Sequence, residues 1–276
     1  AMIVPHKVCT RVRAACERSI QAGDPIDWRT LVSPDIDIEA ILSLRRQIHT
    51  RWIRANTPRV RGASAEILRR WQKGEHVISI AKAFRHPPFL LARGVVERVC
   101  HVTGKRIGDL VRHPERITDP RLRREVQEAA EADPDCAPRS DAIREVIGRE
   151  YEFVLQRRLE ALGVPYQTEE DLKTQGHSKT PDAWLRAPVA VQDPRVGEWR
   201  QVCWIDSKAM FGDVETFGKE HSMQLESYVH RFGPGLVVYW FGFDEELPRL
   251  DNICISTDVP IQMVLPGGDV STSTAC

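Results

Sequence analysis

Two charged residues, Asp206 and Lys208, lie within an otherwise apolar stretch, Val202-Cys-Trp-Ile-Asp-Ser-Lys-Ala209. Residues two apart in a β-strand share a face, so the two side chains are expected to project together. Burying a carboxylate and an ammonium costs on the order of several kcal/mol per ion unless something compensates. One interpretation is that the two ions simply pair with each other. The other is that the carboxylate binds a divalent metal ion while the ammonium faces an attacking water.

A second acid, Asp182, favours the metal interpretation. It follows Lys179-Thr-Pro181 at the entry to the preceding predicted strand, where the proline restricts the backbone. An acid at the start of one strand can face Asp206 and Lys208 on the neighbouring strand. Mg²⁺ takes one or two carboxylates, keeps several waters and accepts phosphate oxygens. The three charged residues therefore predict a site for Mg²⁺ (or Mn²⁺).

A third acid comes from Gly148-Arg-Glu-Tyr-Glu152, within a predicted long amphipathic helix. Glu152 lies nearer the apolar face of that helix than Glu150 does, and is therefore the preferred candidate. A lone glutamate on a helix is ordinarily a solvated surface residue, and that alternative stays open for Glu152. Asp213 and His221 could approach a metal ion, but both lie in polar segments and are expected to be solvated.

The elements that must position these residues form an α-β-β-β-α-β order with one further strand. The helix Asp141–Leu162 comes first and ends at Gly163. The predicted strands are Val164–Thr168, Ala183–Val191, Gln201–Ala209, Leu236–Phe243 and Asn252–Thr257, with a helix near Phe217–Arg231 before the fourth. Several of these strands are apolar on both faces, as in a central sheet covered by helices. The tail Gly267–Cys276 is expected to be frayed.

The first half of the chain is predicted to be all-helical. Apolar residues recur at helical spacing from about residue 37 to 55, with Asp35 and Asp37 as possible caps and Thr57-Pro58 as the end. The segments Ala63–Gln72, Val77–Phe84 and Pro88–Cys100 then match a helix-turn-helix pattern.

In that pattern Ile80, Ala81 and Phe84 face inward, packed on Leu90, Leu91, Val95 and Val96 of the third helix. Three basic residues are left facing outward, where a recognition helix meets DNA: Arg93, Arg98 and Lys105. Small three-helix modules also serve as protein-binding units, which is the alternative. Residues 131–140 have the composition of a linker, so we expect a helical region over 1–135 and a second domain over 136–276.

Pro181-Asp182 and Asp206-Ser-Lys208 together resemble the PD-(D/E)xK nuclease signature, and the predicted element order strengthens the match. A wider set of motifs resembles the codanin-interacting nuclease family, also called the TPD-motif family. These motifs are Lys179-Thr-Pro-Asp182, Pro188-Val-Ala-Val191, Trp204-Ile-Asp-Ser-Lys-Ala209, Phe211-Gly-Asp213 and Arg231-Phe-Gly-Pro-Gly235 followed by Tyr239-Trp-Phe-Gly-Phe243. The resemblance implies a restriction-endonuclease-like core behind helix-turn-helix modules, a nuclear or nucleo-cytoplasmic location, and a codanin-like partner.

The resemblance also implies roles for individual residues. Asp182 and Asp206 would ligate Mg²⁺, with the Ser207 backbone carbonyl as a further ligand, and Glu152 would complete the site or position a second ion.

Lys208 would orient or deprotonate the attacking water and offset charge in the transition state. Gln224, on the following helix, would hold the water or a phosphate oxygen, with a plain surface amide as the alternative. Tyr228, one turn further along that helix, is expected to pack.

Composition limits the remaining possibilities. The chain has 276 residues, 42% hydrophobic and 28% charged, which is typical of a globular protein with a real core. Residues 1–140 hold 26 Lys and Arg against 17 Asp and Glu, and residues 141–276 hold 13 against 22. The basic half suggests an anionic partner, although two solvated surfaces of opposite sign would give the same count.

The cysteines and the apolar runs argue against two further classes. The seven cysteines show no CxxC spacing, so neither a disulfide framework nor a zinc site is expected and a reducing compartment fits best. The longest apolar run, Gly235–Phe243, is about half of what spans a bilayer, so no membrane partner is expected.

The sequence therefore favours a metal-dependent nuclease acting on nucleic acid, DNA by preference. The main alternative is a non-catalytic adaptor that binds nucleic acid or a protein and keeps the nuclease fold as a scaffold. A third is a transcriptional regulator acting through the helix-turn-helix.

Overall fold

The chain divides into two compact units. The computed structural model describes residues 2–22, 26–260, 262–266 and 270–272. A sheet unit comprises residues 1–18, 25–47 and 147–276, and a helical unit comprises residues 19–24 and 48–146. This division does not coincide with the predicted boundary between residues 135 and 136, which falls inside the helical unit.

The helices are α1 (His6–Ala22), α2 (Ile38–Gly62), α3 (Ser64–Gln72), α4 (Val77–Phe84), α5 (Pro88–Val99), α6 (Lys105–Arg112), α7 (Pro120–Glu131), α8 (Pro138–Ala161), α9 (Glu169–Thr174), α10 (Val214–Thr216) and α11 (Ser222–Phe232). The strands are β1 (Ile3–Val4), β2 (Tyr166–Thr168), β3 (Ala183–Gln192), β4 (Trp199–Lys208), β5 (Gly235–Tyr239), β6 (Phe243–Asp244), β7 (Ile253–Ser256), β8 (Gln262–Val264) and β9 (Val270–Thr272). Short 3₁₀ turns cover Trp28–Leu31 and Pro114–Arg116, and a π-helical turn over Phe217–His221 joins α10 to α11.

A mixed sheet organises the sheet unit, which confirms the α/β class. Its strand order is β7-β5-β4-β3-β8-β9, and β2 also pairs with β3. Strands β7, β5 and β4 are parallel, whereas β3 runs antiparallel to β4. Every residue of β5 is buried, as expected for a strand covered on both faces.

The predicted fourth strand is in fact two strands. Strand β5 ends at Tyr239, and Phe243 belongs to β6, which pairs with β1 in a separate two-stranded sheet. Gly242 makes the turn between them at a φ of 86°, and a Cβ there would lie 2.5 Å from the Met2 carbonyl oxygen. The pairing with Ile3–Val4 also corrects the all-helical prediction for the first half.

The sequence did not predict two further elements of the sheet unit, helix α9 and strand β9. Helix α9 begins with a capping box in which Thr168 and Asp171 bond each other's backbone. Val270–Thr272, in the tail expected to be frayed, pairs with β8 instead. The rest of that tail lies outside the described residues.

Helix α2 continues past the proline that was predicted to end it. It runs to Gly62, with Pro58 inside. Thr57 Oγ1 donates to the Ile53 carbonyl at 2.7 Å within the turn that precedes the proline. The expected cap at its start is present, because Asp37 Oδ1 accepts from the Ala40 amide at 2.8 Å.

The helical unit contains the three predicted helices as α3, α4 and α5, followed by α6 and α7. Arg85, with a φ of 48°, forms the left-handed end of α4. The inward residues predicted for α4 and α5 are buried in one core, with Leu90 packed against it. Arg93, Arg98 and Lys105 are exposed, although Lys105 begins α6 and does not belong to α5.

The segment between α7 and α8 packs into the helical unit, contrary to the linker expected there. Asp133 is 4% exposed and accepts from the Phe89 amide at 3.2 Å and the Cys136 amide at 2.8 Å. Ala137 belongs to the same core. These buried hydrogen bonds explain why a Pro- and Asp-rich stretch is ordered here.

The described residues contain neither a helix that could span a membrane nor a disulfide. Within the described residues no helix is both long and apolar enough to cross a bilayer. The cysteines there are free thiols: Cys9, Cys16, Cys100, Cys136, Cys203 and Cys254. Cys276 lies outside the described residues.

Candidate active site

Asp182 and Asp206 meet where β3 begins and β4 ends. Asp182 directly precedes β3, and the antiparallel register pairs Ala183 with Ile205. The Ser207 amide donates to Asp182 Oδ2 at 2.7 Å, which ties the first acid to the strand that carries the second. The two carboxylates that the sequence singled out are therefore neighbours in the structure.

Lys208 lies beside both Asp206 and Gln224. Its Nζ atom is 2.6 Å from Asp206 Oδ2 and donates to Gln224 Oε1 at 3.3 Å. The side chain of Lys208 is only 15% exposed. The ion pair foreseen as the plain alternative is thus present, and Gln224 belongs to the same cluster.

Tyr228 holds the Gln224 amide in place from one turn further along α11. Gln224 Nε2 donates to the Tyr228 hydroxyl at 2.7 Å, so its Oε1 atom is left facing Lys208. Tyr228 is 3% exposed, and its ring packs edge-on against Trp204 with the ring centroids 5.3 Å apart. Tyr228 packs as expected, and Gln224 is not a free surface amide.

Charge crowding shapes the electrostatics of this cluster. Asp206 is 2% exposed, and its Oδ2 atom accepts no hydrogen bond of good geometry from the described residues, although the Lys208 ammonium lies beside it. Burial, with repulsion from Asp206, holds the pKa of Asp182 well above its usual range. Burial acts to lower the pKa of Lys208, but attraction to Asp206 outweighs it and the pKa is raised.

Glu152 lies within electrostatic reach of the carboxylate pair. It sits on an exposed part of α8, yet partial burial followed by repulsion from Glu169 and Asp206 raises its pKa. Glu169, at the start of α9, accepts from Thr180 Oγ1 at 3.3 Å. Sequence reasoning did not single out Glu169, since nothing in Thr168-Glu-Glu-Asp171 distinguishes it from an ordinary helix start.

Two residues expected to be solvated are buried. Asp213 is 1% exposed, pairs with Arg13 of α1 at 2.6 Å and accepts from the Thr216 amide at the start of α10. His221 is 8% exposed, its Nδ1 lies 2.7 Å from the Tyr239 hydroxyl, and burial helped by nearby Lys208 lowers its pKa to about 4. Arg13 and Tyr239 lie outside the polar segments that contain Asp213 and His221. The polarity of those segments therefore gave a wrong prediction of exposure.

An aromatic residue next to β5 also contributes to the site. Trp240, 8% exposed, directly follows β5, and its Nε1 donates to Ser207 Oγ at 2.7 Å. The Trp240 amide donates to the Lys208 carbonyl at 3.1 Å. These two bonds hold the end of β4 at the point where Ser207 and Lys208 project.

The donor set fits a magnesium site built on two carboxylates. Within the described ranges, no group of three or more His, Cys, Asp or Glu side chains is arranged to hold a metal ion. Mg²⁺ needs only one or two carboxylates, because waters complete its shell. A buried Asp206 oxygen without a good hydrogen bond, next to the crowded Asp182, provides such a pair.

The chain also matches a family model, described as "Protein of unknown function TPD sequence-motif", over residues 118–259. That range covers just over half of the chain and includes Asp182, Asp206, Lys208 and Gln224. This chain belongs to the TPD-motif family. The family is the one that the motifs around Lys179–Asp182 indicated.

Relatives in vertebrates carry the name CDAN1-interacting nuclease 1. The Xenopus tropicalis protein is 36% identical over 199 residues, covering 69% of this chain and 64% of the frog protein. The Bos taurus protein is 33% identical over 195 residues, covering 66% of this chain and 67% of its own length. The Homo sapiens protein is 34% identical over 177 residues, covering 62% of this chain and 61% of the human protein.

The match with the frog and human proteins therefore spans less than two thirds of their length. No solved structure matches this chain.

Proposed function

We propose that this member of the TPD-motif family is a metal-dependent nuclease of the PD-(D/E)xK type, with a restriction-endonuclease-like core. The observation that carries the proposal is the meeting of Asp182, Asp206 and Lys208 at the ends of β3 and β4. Buried, crowded carboxylates are costly, and such groups concentrate at functional sites. The nuclease name of the vertebrate relatives supports the same assignment.

Asp182 and Asp206 would hold the ion, Mg²⁺ or Mn²⁺, together with the Ser207 backbone carbonyl and Glu152. When bound, such an ion supplies positive charge that polarises a phosphate oxygen and activates water. Asp182 is pre-positioned for this role because the Ser207 amide fixes one of its oxygens. Glu152 is exposed on α8 and would have to turn toward the pair or toward a second ion, because no three-acid metal cluster is arranged in the described residues.

Lys208 and Gln224 would act on the water and the reacting phosphate. The Lys208 amine would orient or deprotonate the attacking water and offset the charge that develops on the phosphate. Gln224 would hold the water or a phosphate oxygen, and its contact with Tyr228 sets which amide atom faces Lys208. Each of these groups lies at the end of β4 or on the first turn of α11.

The helical unit would supply substrate affinity. Arg93, Arg98 and Lys105 are exposed on or beside the helix in the recognition position of the helix-turn-helix pattern. Contacts of this kind with phosphates make binding fall steeply with salt. The expected substrate is DNA, the expected location is nuclear or nucleo-cytoplasmic, and the vertebrate relatives' name suggests a codanin-like partner.

The deciding experiment is a cleavage assay with Mg²⁺ or Mn²⁺ on labelled single-stranded, duplex, flap and junction DNA and RNA. Cleavage by the wild-type chain should be lost in Asp206→Asn and Lys208→Ala. Asp258→Asn is the matched control, because its carboxylate is exposed and its amide oxygen can still accept from the Val259 amide. Retained cleavage in both site variants would overturn the assignment of the site.

The Asp206–Lys208 ion pair also suits a second candidate, a non-catalytic adaptor that uses the fold as a scaffold. An adaptor with a self-neutralised site should show no Mg²⁺- or Mn²⁺-dependent rise in melting temperature. The nuclease should show such a rise, and Asp206→Asn should remove it.

A further inference from the structure

A small basic pocket lies in the sheet unit, at the opposite end of β4 from the candidate active site. Its volume is about 20 Å³, and Asp193, Arg195, Arg200 and Arg249 line it together with aliphatic side chains that include Leu250 and Ile253. Arg200 is the second residue of β4, whereas Asp206 lies near its end. Six residues of strand separate them by about 20 Å, so the two sites are distinct.

The polar atoms of Arg200 are only partly satisfied. Its Nη1 donates to the Asp251 carbonyl at 3.0 Å, and Nη2 donates to Glu198 at 3.3 Å. Its Nε atom is buried and makes no hydrogen bond with the described residues, since Asp193 Oδ2 is 3.6 Å away. A buried donor without an acceptor favours a ligand that carries one.

The other two guanidiniums add positive charge without adding acid partners. Arg195 Nη2 donates to the carbonyls of Glu245 and Leu247, at 3.1 and 2.6 Å, which are neutral groups. Arg249 is exposed, and among the described residues no hydrogen bond or ion pair involves it. Burial, and then repulsion from Arg249, lowers the pKa of Arg195.

One buried carboxylate therefore lines the pocket together with three guanidiniums. Asp193 is 6% exposed, and one of its oxygens already accepts from the Arg195 amide at 2.8 Å. Glu198, which pairs with Arg200, is largely exposed and so offsets little of the charge. The pocket keeps an excess of positive charge beside an aliphatic wall.

We propose that this pocket binds a phosphate group. Guanidinium groups present fixed, forked donors that match phosphate oxygens, and three of them converge here. The phosphate could belong to a free phosphate monoester or to a nucleic-acid strand. The proposal concerns binding, so it does not depend on the cleavage activity assigned to the other end of β4.

The test is calorimetric titration of the full chain with inorganic phosphate, a nucleoside 5′-monophosphate and a single-stranded oligonucleotide. Asp206→Asn serves as the background, so that cleavage does not intervene. Arg249→Gln is the informative variant, because its exposed side chain is not needed for folding. It should weaken phosphate binding about tenfold, and Arg249→Lys should weaken it less. Arg158→Gln, which removes an exposed arginine paired with Asp258, should change nothing.

Each result decides the proposal. If Arg249→Gln weakens inorganic phosphate and the monophosphate but not the oligonucleotide, the pocket serves a small phosphate ester. If it weakens oligonucleotide binding, alone or with the others, the pocket holds a strand phosphate. If the background variant binds none of the three, or Arg249→Gln binds all of them equally well, the proposal is wrong.

Discussion

Two buried carboxylate sites, Glu125 in the helical unit and the Asp182–Asp206 pair in the sheet unit, have different surroundings. In the helical unit Glu125, 1% exposed, is fully provided with donors. Its Oε2 atom accepts from Trp71 Nε1 at 3.2 Å and from the Val77 amide at 2.9 Å, and Oε1 accepts from Arg121 Nε at 2.7 Å. This carboxylate joins α3, α4 and α7, so its charge stabilises the unit.

In the sheet unit Asp182 and Asp206 lie close together, and their like charges repel each other. Asp182 has a pKa held well above its usual range by burial and by Asp206, and Asp206 keeps an oxygen without a good hydrogen bond. A carboxylate needed only for stability would be provided with donors, as Glu125 is. The difference supports the proposal that the sheet unit keeps this pair for binding or chemistry.

The largest effect should come from Asp182→Asn. We expect cleavage to fall by about a thousandfold or more, since under the proposed function the variant lacks a carboxylate that would hold the metal ion. Folding should not suffer, because an amide oxygen can still accept from the Ser207 amide and one of two crowded charges is removed. Cleavage assayed with Mg²⁺ checks the first part, and thermal melting measured without added metal checks the second.

Glu150→Gln is a useful control for charge loss near this site, since Glu150 is exposed on the same helix as Glu152. A melting temperature for Asp182→Asn far below that of the wild type would contradict the comparison, for it would make Asp182 a stabilising residue like Glu125.

Glu125→Ala should have the opposite effect to Asp182→Asn, because it should reduce stability. It leaves Trp71 Nε1 and the Val77 amide buried without an acceptor, so the helical unit should lose about 3 kcal/mol of unfolding free energy. Glu125→Gln should cost less, because one oxygen remains. Denaturant unfolding followed by tryptophan fluorescence measures the loss, and an unchanged midpoint in Glu125→Ala would remove the structural role assigned here.

A smaller, pH-dependent effect should come from His86 in the helical unit. His86 is 9% exposed, and burial, with repulsion from Arg59 and His49, lowers its pKa to about 4 from an ordinary value of 6.5. The folded unit therefore favours the neutral ring. Its contribution is complete above pH 6.5 and is lost as the pH falls from 6.5 toward 4, by about 2 kcal/mol.

The measurement is the unfolding free energy of wild type and His86→Gln across that pH range. Carboxylates titrate in both proteins, so the difference between the two curves isolates the histidine. Parallel curves would show that His86 does not titrate as its burial requires.

Helices and strands could be predicted from the sequence where their own residues carry the pattern. Helix α4 has the predicted bounds, and strands β3 and β4 begin and end within two residues of theirs. The prediction that Asp182 and Asp206 lie close together is confirmed. It rested on two short-range patterns, the alternation of side chains along a strand and the Pro-Asp entry to β3.

The errors arose where the partner is distant in sequence. Strand β6 depends on β1, about 240 residues earlier, and Asp213 is buried because Arg13 reaches it. The continuation of α2 past Pro58 shows that packing outweighed the local preference of a proline.

The basic pocket could not be predicted from the sequence, because Arg195, Arg200 and Arg249 come together only in the fold.

The smallest effect should come from Tyr228→Phe, which tests how the site is held together. The change removes the hydroxyl that accepts from Gln224 Nε2 but keeps the ring that packs on Trp204. Losing one hydrogen bond of this kind costs about 1 kcal/mol, so kcat should fall about fivefold with little change in KM. If Tyr228 acts through Gln224, the Gln224→Ala chain should be no further impaired by adding Tyr228→Phe. A double variant whose losses multiply would mean that the two side chains act independently and that the hydroxyl does not position the amide.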